Sequence, residues 1–252
     1  IFYLREDEDL GIEKISDSNY PFRIFEDNTD LIKKLEKDKI QIVFNDTLDT
    51  EVEYMNNIKK TCNFLVTFED LGEGSEIADL SFNALYENSI KDKKHFFGYK
   101  YLDLRDEFIY AKKNKINSKV ENVLIVFGGT DPNNTTFNVF NYLKEKYHEI
   151  NFTIVVGPGF QEFEKLKKEV LKYKNFKILK SVNKMSKLIS DTDLMISSNG
   201  RTVYEACSLG TPLMIISQNE RELMHTFGKV SKTAVNLGLF SSLKKEIFLK
   251  EF

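Results

Sequence analysis

The chain has 252 residues, of which 41% are hydrophobic, and carries a formal net charge of −3 at pH 7. Its length fits one large or two small domains, and the apolar share suffices for an ordinary core. A pI of about 5.8 supplies no basic field for nucleic acid or a membrane surface, no apolar run approaches the ~18 residues of a membrane span, and no signal peptide is visible.

The chain opens on Ile1-Phe-Tyr-Leu4, which is strand-like and lacks an initiator methionine. A helix-like pattern starts near Ser242, shortly before Phe252. Both ends therefore read as cut from something longer. Ile40 to Phe44 and Phe64 to Phe68 predict strands, with a helix over Glu51 to Lys60 between them. Ala78 to Asn83 predicts another short strand. The pattern then breaks, and the polar stretch Ala111 to Asn122 reads as a linker. Val123 to Phe127 restarts the cycle. Glycine-rich Gly128-Gly-Thr-Asp-Pro-Asn-Asn134 follows, then a helix to about Lys146. Strands are expected at Phe152 to Val156 and Phe176 to Leu179, and helices over Glu162 to Tyr173 and Met185 to Ser190. Cys62 and Cys207 lie far apart in apolar surroundings. Buried reduced thiols are expected, which suits the cytoplasm.

The most informative stretch is 193–217. Leu194, Met195 and Ile196 form a buried-strand run, and Ser197, Ser198, Asn199 and Gly200 form a turn without bulk. Thr202-Val-Tyr-Glu205 fits a capping box, and Gly210 with Pro212 ends that helix before a strand at Leu213 to Ile216. A helix N-terminus behind such a turn attracts anions, because free N–H groups and the positive end of the dipole face outward there.

Strands alternating with helices imply crossover units and parallel sheets. The expected fold is α/β, with two doubly wound Rossmann-like domains at 1–112 and 113–252. Ligands in such folds sit beyond the carboxyl ends of the strands, so a cleft between the two domains is the natural site. The loops at 45–50, 69–74, 128–135, 157–160 and 197–202 are the places to look.

Each candidate has a plain structural alternative. Gly128 and Gly129 allow backbone to approach a ligand, while Asp131 followed by Pro132 also fits a helix cap. Glu205 is either the capping-box carboxylate or an acceptor for two vicinal ribose hydroxyls. His225, in a partly buried helical stretch, is either an acid–base group or a hydrogen-bonded structural residue. His95 and His148 fit surface positions. Asp46, Asp49, Glu69 and Asp70 end two successive strands, as acid–base or metal-binding pairs or as caps. No His or Cys spacing supports zinc.

Phe127-Gly-Gly-Thr-Asp-Pro-Asn-Asn134, Tyr101-Leu-Asp-Leu-Arg-Asp-Glu-Phe108 and Gly200-Arg-Thr-Val-Tyr-Glu-Ala-Cys-Ser-Leu-Gly-Thr-Pro212 together resemble the UDP-sugar hydrolases of pseudaminic acid biosynthesis. That family includes spore-coat polysaccharide biosynthesis proteins and has a glycosyltransferase-B-like fold. With Asn45-Asp-Thr-Leu-Asp-Thr50, Phe68-Glu-Asp-Leu-Gly72, Asn83-Ala-Leu-Tyr86 and Gln218-Asn-Glu-Arg-Glu222, the chain is most similar to the form fused to a sialic-acid-type cytidylyltransferase. The resemblance implies a UDP-sugar partner and removal of UDP from a 2,4-diacetamido-2,4,6-trideoxyhexose by water. A glycosyltransferase and a noncatalytic nucleotide-sugar-binding module are the alternatives. It implies no cofactor and no metal, the helix dipole and backbone N–H groups stabilising the departing diphosphate. Gly200, Arg201 and Thr202 match the turn that meets the pyrophosphate, and Asn199 adjoins it. Glu205 matches the ribose carboxylate. Gly128, Gly129 and Thr130 match a second loop, and Gln218, with Asn219 beside it, matches a glutamine near the sugar. The family's opening strand and Gly-x-Gly-His-x-x-Arg loop have no counterpart in this sequence. The catalytic histidine is thus expected outside the chain, which by itself is expected to be inactive, and His225 is the one weak candidate within it.

Overall fold

Every strand pairing among the described residues is parallel. Parallel neighbours cannot be joined by a tight turn, so helices carry the chain back between strands. The computed structural model describes residues 1–88 and 92–252. They form two units, Ile1–Leu102 and Asp103–Phe252.

In the first unit, β1 (Phe2–Arg5), α1 (Asp9–Asp17) and β2 (Phe22–Phe25) give a two-stranded sheet. Then come α2 (Asn28–Asp38), β3 (Ile42–Asn45), α3 (Val52–Lys59), β4 (Phe64–Phe68), β5 (Leu80–Asn83) and β6 (His95–Phe97). The last four strands form a second sheet in the order β3-β4-β5-β6. Asp27 starts α2 by accepting the Asp30 N–H at 2.8 Å. Leu31 and Leu35 of α2 and Met55 and Ile58 of α3 bury one helical face each against Leu65 of β4. On the other face of the larger sheet Phe44, Phe68, Phe82 and Phe96 stack from strand to strand with ring centroids 6.1, 5.9 and 5.0 Å apart. Cross-strand aromatic pairs of this kind help fix register.

Two of the four strand-end carboxylates of this unit, Glu69 and Asp70, brace the fold. Asp70 is buried, and its Oδ1 accepts the N–H groups of Thr50 and Gly72, both at 2.9 Å. Its Oδ2 accepts the Thr50 hydroxyl at 2.5 Å. Buried Glu69 accepts the N–H groups of Ala84 at 3.0 Å and Leu85 at 3.3 Å. Asp46 and Asp49 are exposed. His95 is buried on β6 rather than at the surface, with Nδ1 2.6 Å from the Asp92 carboxylate, whose pKa this contact lowers to about 2. His148 is exposed.

The second unit begins with α4 (Asp106–Ile109) and continues through β7 (Asn122–Val126), α5 (Thr135–Leu143), β8 (Asn151–Val156), α6 (Phe163–Val170) and β9 (Phe176–Lys180). It proceeds through α7 (Met185–Ser190), β10 (Leu194–Ser197), α8 (Arg201–Leu209) and β11 (Leu213–Ser217). It ends with α9 (Glu220–Met224), α10 (Phe227–Val230), β12 (Ala234–Leu239) and α11 (Lys245–Glu251). The six strands order as β12-β11-β10-β7-β8-β9, the doubly wound arrangement with the first strand at the centre. All five residues of β11 are buried, as a strand covered on both faces requires. Phe127, Phe140, Phe152 and Phe248 are at most 1% exposed and anchor the core. Phe152 stacks on Phe176 with centroids 4.4 Å apart.

The units divide at Leu102/Asp103, earlier than the expected 112/113 boundary, because Asp103, Arg105 and Glu107 pair with Arg201, Glu205 and the Ser186 N–H of the second unit. The Asn114 N–H donates to the Leu209 carbonyl at 2.6 Å, and its side chain donates to the Thr192 carbonyl. Asn117 and the Glu121 and Asn122 N–H groups donate to the Asp193 carboxylate at 2.6, 2.9 and 2.8 Å. Cys62 and Cys207 are free thiols, half-buried rather than buried. No helix among the described residues is long and apolar enough to cross a membrane.

Asp70→Ala would strip four hydrogen bonds, the fourth from the Thr67 hydroxyl at 3.3 Å, from a buried loop junction and leave the Thr50 and Gly72 donors unpaired. A loss of about 3 kcal/mol is expected, read as a lower urea midpoint with an unchanged m-value. A midpoint equal to that of the parent would remove Asp70 from its bracing role.

Candidate functional site

The chain reverses direction across the six-stranded sheet at β7, with β8 on one side and β10 on the other. Crossovers that leave on opposite faces open a crevice at the carboxyl ends of those strands, where ligands of doubly wound folds sit. The crevice is edged by the loop 127–134 after β7 and the turn 198–200 after β10.

The first loop depends on left-handed backbone. Gly128, Asp131 and Asn134 have φ of 77°, 43° and 52°. Glycine reaches that region freely, and Asp and Asn are the side chains that tolerate it best. Asp131 is buried and caps α5 from outside, its two oxygens accepting the N–H groups of Thr135 and Thr136, each at 2.9 Å. The helix starts at Thr135, so Pro132 lies in the loop and not in the first turn. Gly128, Gly129 and Thr130 are exposed, and a Cβ on either glycine would meet nothing within 4 Å. Opposite them, Gly157 packs so closely that a Cβ there would lie 2.3 Å from the Gly129 carbonyl oxygen. The Gly159 N–H donates to that same carbonyl at 3.1 Å. The loop after β8 thus fixes the loop after β7.

The second turn differs from its sequence reading. The N-cap of α8 is Gly200, with no side-chain cap, and Thr202 is already inside the helix. The capping box expected at Thr202 and Glu205 is not formed. An uncapped first turn leaves the positive end of the helix to an external acceptor. The helix ends as expected: the N–H of left-handed Gly210 (φ 77°) bonds to Cys207 and that of Thr211 to Ala206, both at 3.0 Å.

A true cap of the Asn-x-x-Glu kind occurs at 219–222. Asn219 Oδ1 accepts the Glu222 N–H at 2.9 Å. The Glu222 carboxylate turns back to accept the N–H groups of Gln218 at 2.8 Å and Asn199 at 3.3 Å. Burial pushes this carboxyl above the usual range, against the hydrogen bonds that favour its charge. Buried Asn199 donates to the carbonyls of Glu222 at 2.7 Å and His225 at 3.1 Å. Buried Gln218 donates to the Phe127 carbonyl at 3.0 Å, and its own carbonyl accepts from Asn133 at 2.6 Å. These bonds join the ends of β7, β10 and β11. Glu222 was not singled out in the sequence, although its spacing from Asn219 carries the signal.

His225 follows α9 and is buried. Its Nδ1 bonds to the Asn199 carbonyl, so Nδ1 carries the proton. Burial lowers its pKa. The geometry gives it a bracing role beneath the turn. Among the described residues, no three His, Cys, Asp or Glu side chains gather as metal ligands.

The second half of the site lies on the outer side of α8. Exposed Arg201 pairs with the Asp103 carboxylate. One turn later Glu205, its side chain 15% exposed, receives Arg105 Nη2 on Oε1 at 3.2 Å. Arg105 Nη1 also meets Glu107 Oε1 at 2.8 Å, and Glu107 Oε2 accepts the Ser186 N–H at 3.0 Å. Burial pushes the Glu205 carboxyl up, and Arg105 opposes that. Arg105 and Glu107 sit within the 101–108 motif, but only the folded contacts show what they hold.

Residues 123–232 match the glycosyltransferase family 28 C-terminal domain. The chain is 36% identical to uncharacterized protein MJ1062 of Methanocaldococcus jannaschii over 94% of its own length and 53% of that protein's. It is 24% identical to the spore coat polysaccharide biosynthesis protein SpsG of Bacillus subtilis over 76% of its length and 60% of that protein's. The chain thus spans somewhat more than half the length of these relatives. Among solved structures, MurG of Acinetobacter baumannii superposes with a TM-score of 0.65 at 15% identity, over 96% of this chain and 77% of that one. The UDP-GlcNAc 2-epimerase of M. jannaschii, solved with UDP-GlcNAc and UDP, gives 0.57 at 14% identity, over 95% and 86%.

Two expectations follow. Gly157→Ala must displace the Gly129 backbone and should cost about 1–3 kcal/mol, seen as a fall in thermal midpoint; an unshifted midpoint would show that the two loops part freely. His225 stays neutral in the fold because burial lowers its pKa, whereas the unfolded chain takes up a proton below about pH 6.5. Stability should therefore fall as pH drops through that value, and His225→Asn should flatten this part of the urea-midpoint profile. Parallel profiles for the two proteins would refute the buried, neutral assignment.

At the level of fold, the chain is α/β with parallel sheets and glycosyltransferase-B-like neighbours, and its second unit carries the glycosyltransferase family 28 C-terminal match.

Proposed function

We propose that the second unit holds the nucleotide of a UDP-sugar and that the protein releases UDP from that sugar, with water as the acceptor. The observation that carries the reading is the uncapped N-terminus of α8 at the point where the sheet reverses, with half-buried Glu205 one turn inside. The first turn, Gly200, Arg201 and Thr202, receives the diphosphate. Glu205 accepts the two ribose hydroxyls. Exposed Gly128, Gly129 and Thr130 and the Gln218–Asn219 corner lie toward the sugar. Arg201 exchanges its exposed partner Asp103 for phosphate, an anion of higher charge. As the water oxygen bonds to the anomeric carbon, the bond to UDP breaks and its electron pair leaves on the diphosphate. Helix N–H groups and Arg201 stabilise that charge.

Likeness to SpsG supports a place in surface-polysaccharide synthesis; the nonulosonic acid route and a 2,4-diacetamido-2,4,6-trideoxyhexose as the sugar rest on the motif resemblance alone. The length of MJ1062 beyond the aligned part leaves room for the fused cytidylyltransferase. A second reading is favoured by the matched family itself: the same unit serves a glycosyltransferase that passes the sugar to another acceptor. A nucleotide-sugar-binding module without catalysis is the third.

Calorimetric titration with UDP tests the binding. The parent protein should bind, and Glu205→Gln should weaken binding by about 1–3 kcal/mol, the range for a lost hydrogen bond to a charged group. No heat from the parent protein would end the proposal. UDP release that requires an added acceptor would favour the transferase.

A further inference from the structure

The ion pair of Arg105 with Glu205 is better built than an incidental surface contact. Its guanidinium is held on three sides: by Glu205 Oε1 at 3.2 Å, by Glu107 Oε1 at 2.8 Å and by the ring of buried Phe108, 4.9 Å from Cζ. Glu107 is itself fixed through its other oxygen by the Ser186 N–H at the start of α7. A chain of contacts thus runs from α7 through Glu107 and Arg105 to α8. The Arg105 side chain is 54% exposed, and ion pairs that open to water add little to stability. Their geometric effect is larger, because a planar guanidinium fixes the plane of the carboxylate it meets. Arg105 occupies Oε1 and leaves Oε2 without a protein partner among the described residues. It also separates Glu205 from Glu107, a like charge acting on the same carboxylate, while Arg201 adds a weaker positive influence from the same helix.

We propose that Arg105 is a positioning residue for nucleotide binding: it orients Glu205 and keeps it ionised, so that the carboxylate meets the ribose without Arg105 touching the nucleotide. This rests on the reading of Glu205 as the ribose acceptor. Removing Arg105 exposes Glu205 to Glu107 and to its own desolvation, both of which favour protonation. A protonated carboxyl accepts the ribose hydroxyls less well. Binding that needs ionised Glu205 is lost as pH falls through the carboxyl's pKa, so the variant should lose it at a higher pH than the parent.

The test compares UDP with 2′,3′-dideoxy-UDP on the full chain and on Arg105→Ala, Arg105→Lys, Glu205→Gln and the Arg105→Ala/Glu205→Gln double variant. Arg105→Ala should weaken UDP about tenfold, within the range of coupled neighbours. The double variant should be no worse than Glu205→Gln, dideoxy-UDP should bind Arg105→Ala as it binds the parent, and Arg105→Lys should recover part of the loss. The acid limb of UDP binding should begin at higher pH in Arg105→Ala. Equal weakening of both nucleotides, or additive losses in the double variant, would overturn the inference by showing direct contact or general damage. Unchanged UDP binding by Arg105→Ala alongside weakened binding by Glu205→Gln would also overturn it, leaving the ribose assignment intact. Unchanged binding by Glu205→Gln would overturn the ribose assignment, and this inference with it.

Discussion

The constraint from which the rest follows is that parallel strands cannot be joined by a tight turn. Each connection in the six-stranded sheet must cross over, most of them through a helix, so the loops that leave the strand ends gather along one edge. Starting the sheet at its centre, with β8 to one side and β10 to the other, sends the early crossovers to opposite faces. The loop after β7 and the turn after β10 then part and leave a crevice whose walls are backbone and small side chains. No catalytic requirement enters this reasoning, which is why so many chemistries share the fold.

Keeping the crevice open has an electrostatic cost that the neighbouring residues meet in part, Ser217 Oγ and Gln218 Oε1 being buried without a hydrogen-bond partner among the described residues. Ser197, Asn199, Ser217 and Gln218 are buried polar side chains at the ends of otherwise apolar strands, where each unmet hydrogen bond costs roughly 1–3 kcal/mol. Asn199 and Gln218 meet theirs largely with backbone carbonyls of the adjoining segments. The Glu222 carboxylate does the converse, gathering two N–H groups. Glu205 lies deeper in its helix, after a Gly200 cap, and accepts no backbone N–H among the described bonds. Its partner is a side chain that approaches from outside the helix. One carboxylate is spent on the fold, and the other is presented at its surface.

These differences set what was legible in the sequence. Long apolar runs such as Val123 to Phe127, Phe152 to Val156 and Leu194 to Ile196 declare themselves because buried parallel strands need apolar residues on both faces. The loops between them are marked by glycines with a local steric reason. The first forty residues were less legible: β1 and β2 have four residues each, α1 and α2 are rich in charge, and α1 buries no residue. At β6 three residues suffice, and at β12 the asparagine and glycine within Ala-Val-Asn-Leu-Gly-Leu mask the strand. The capping box was misplaced because Thr202-x-x-Glu205 and Asn219-x-x-Glu222 look alike in one dimension. One helix already begins at Arg201, after the Gly200 cap, whereas the other begins at Glu220, after the Asn219 cap. The grip of Arg105 on Glu205 spans a hundred positions, beyond the reach of any local pattern.

The same geometry narrows where the chemistry beyond leaving-group stabilisation arises. Three titratable side chains stand close to the loops at the carboxyl ends of β7, β10 and β11. Asp131 uses both oxygens on the first turn of α5. Glu222 uses its carboxylate on the two N–H groups that close its corner. His225 holds its Nδ1 proton against the Asn199 carbonyl, and burial disfavours its charged form. Asp131 could take a proton only by releasing the first turn of α5, whereas the bonds of Glu222 and His225 brace the turn after β10. On the proposed reading the second unit grips UDP and accepts its departing charge at the start of α8, while Asp131 stays committed to the fold.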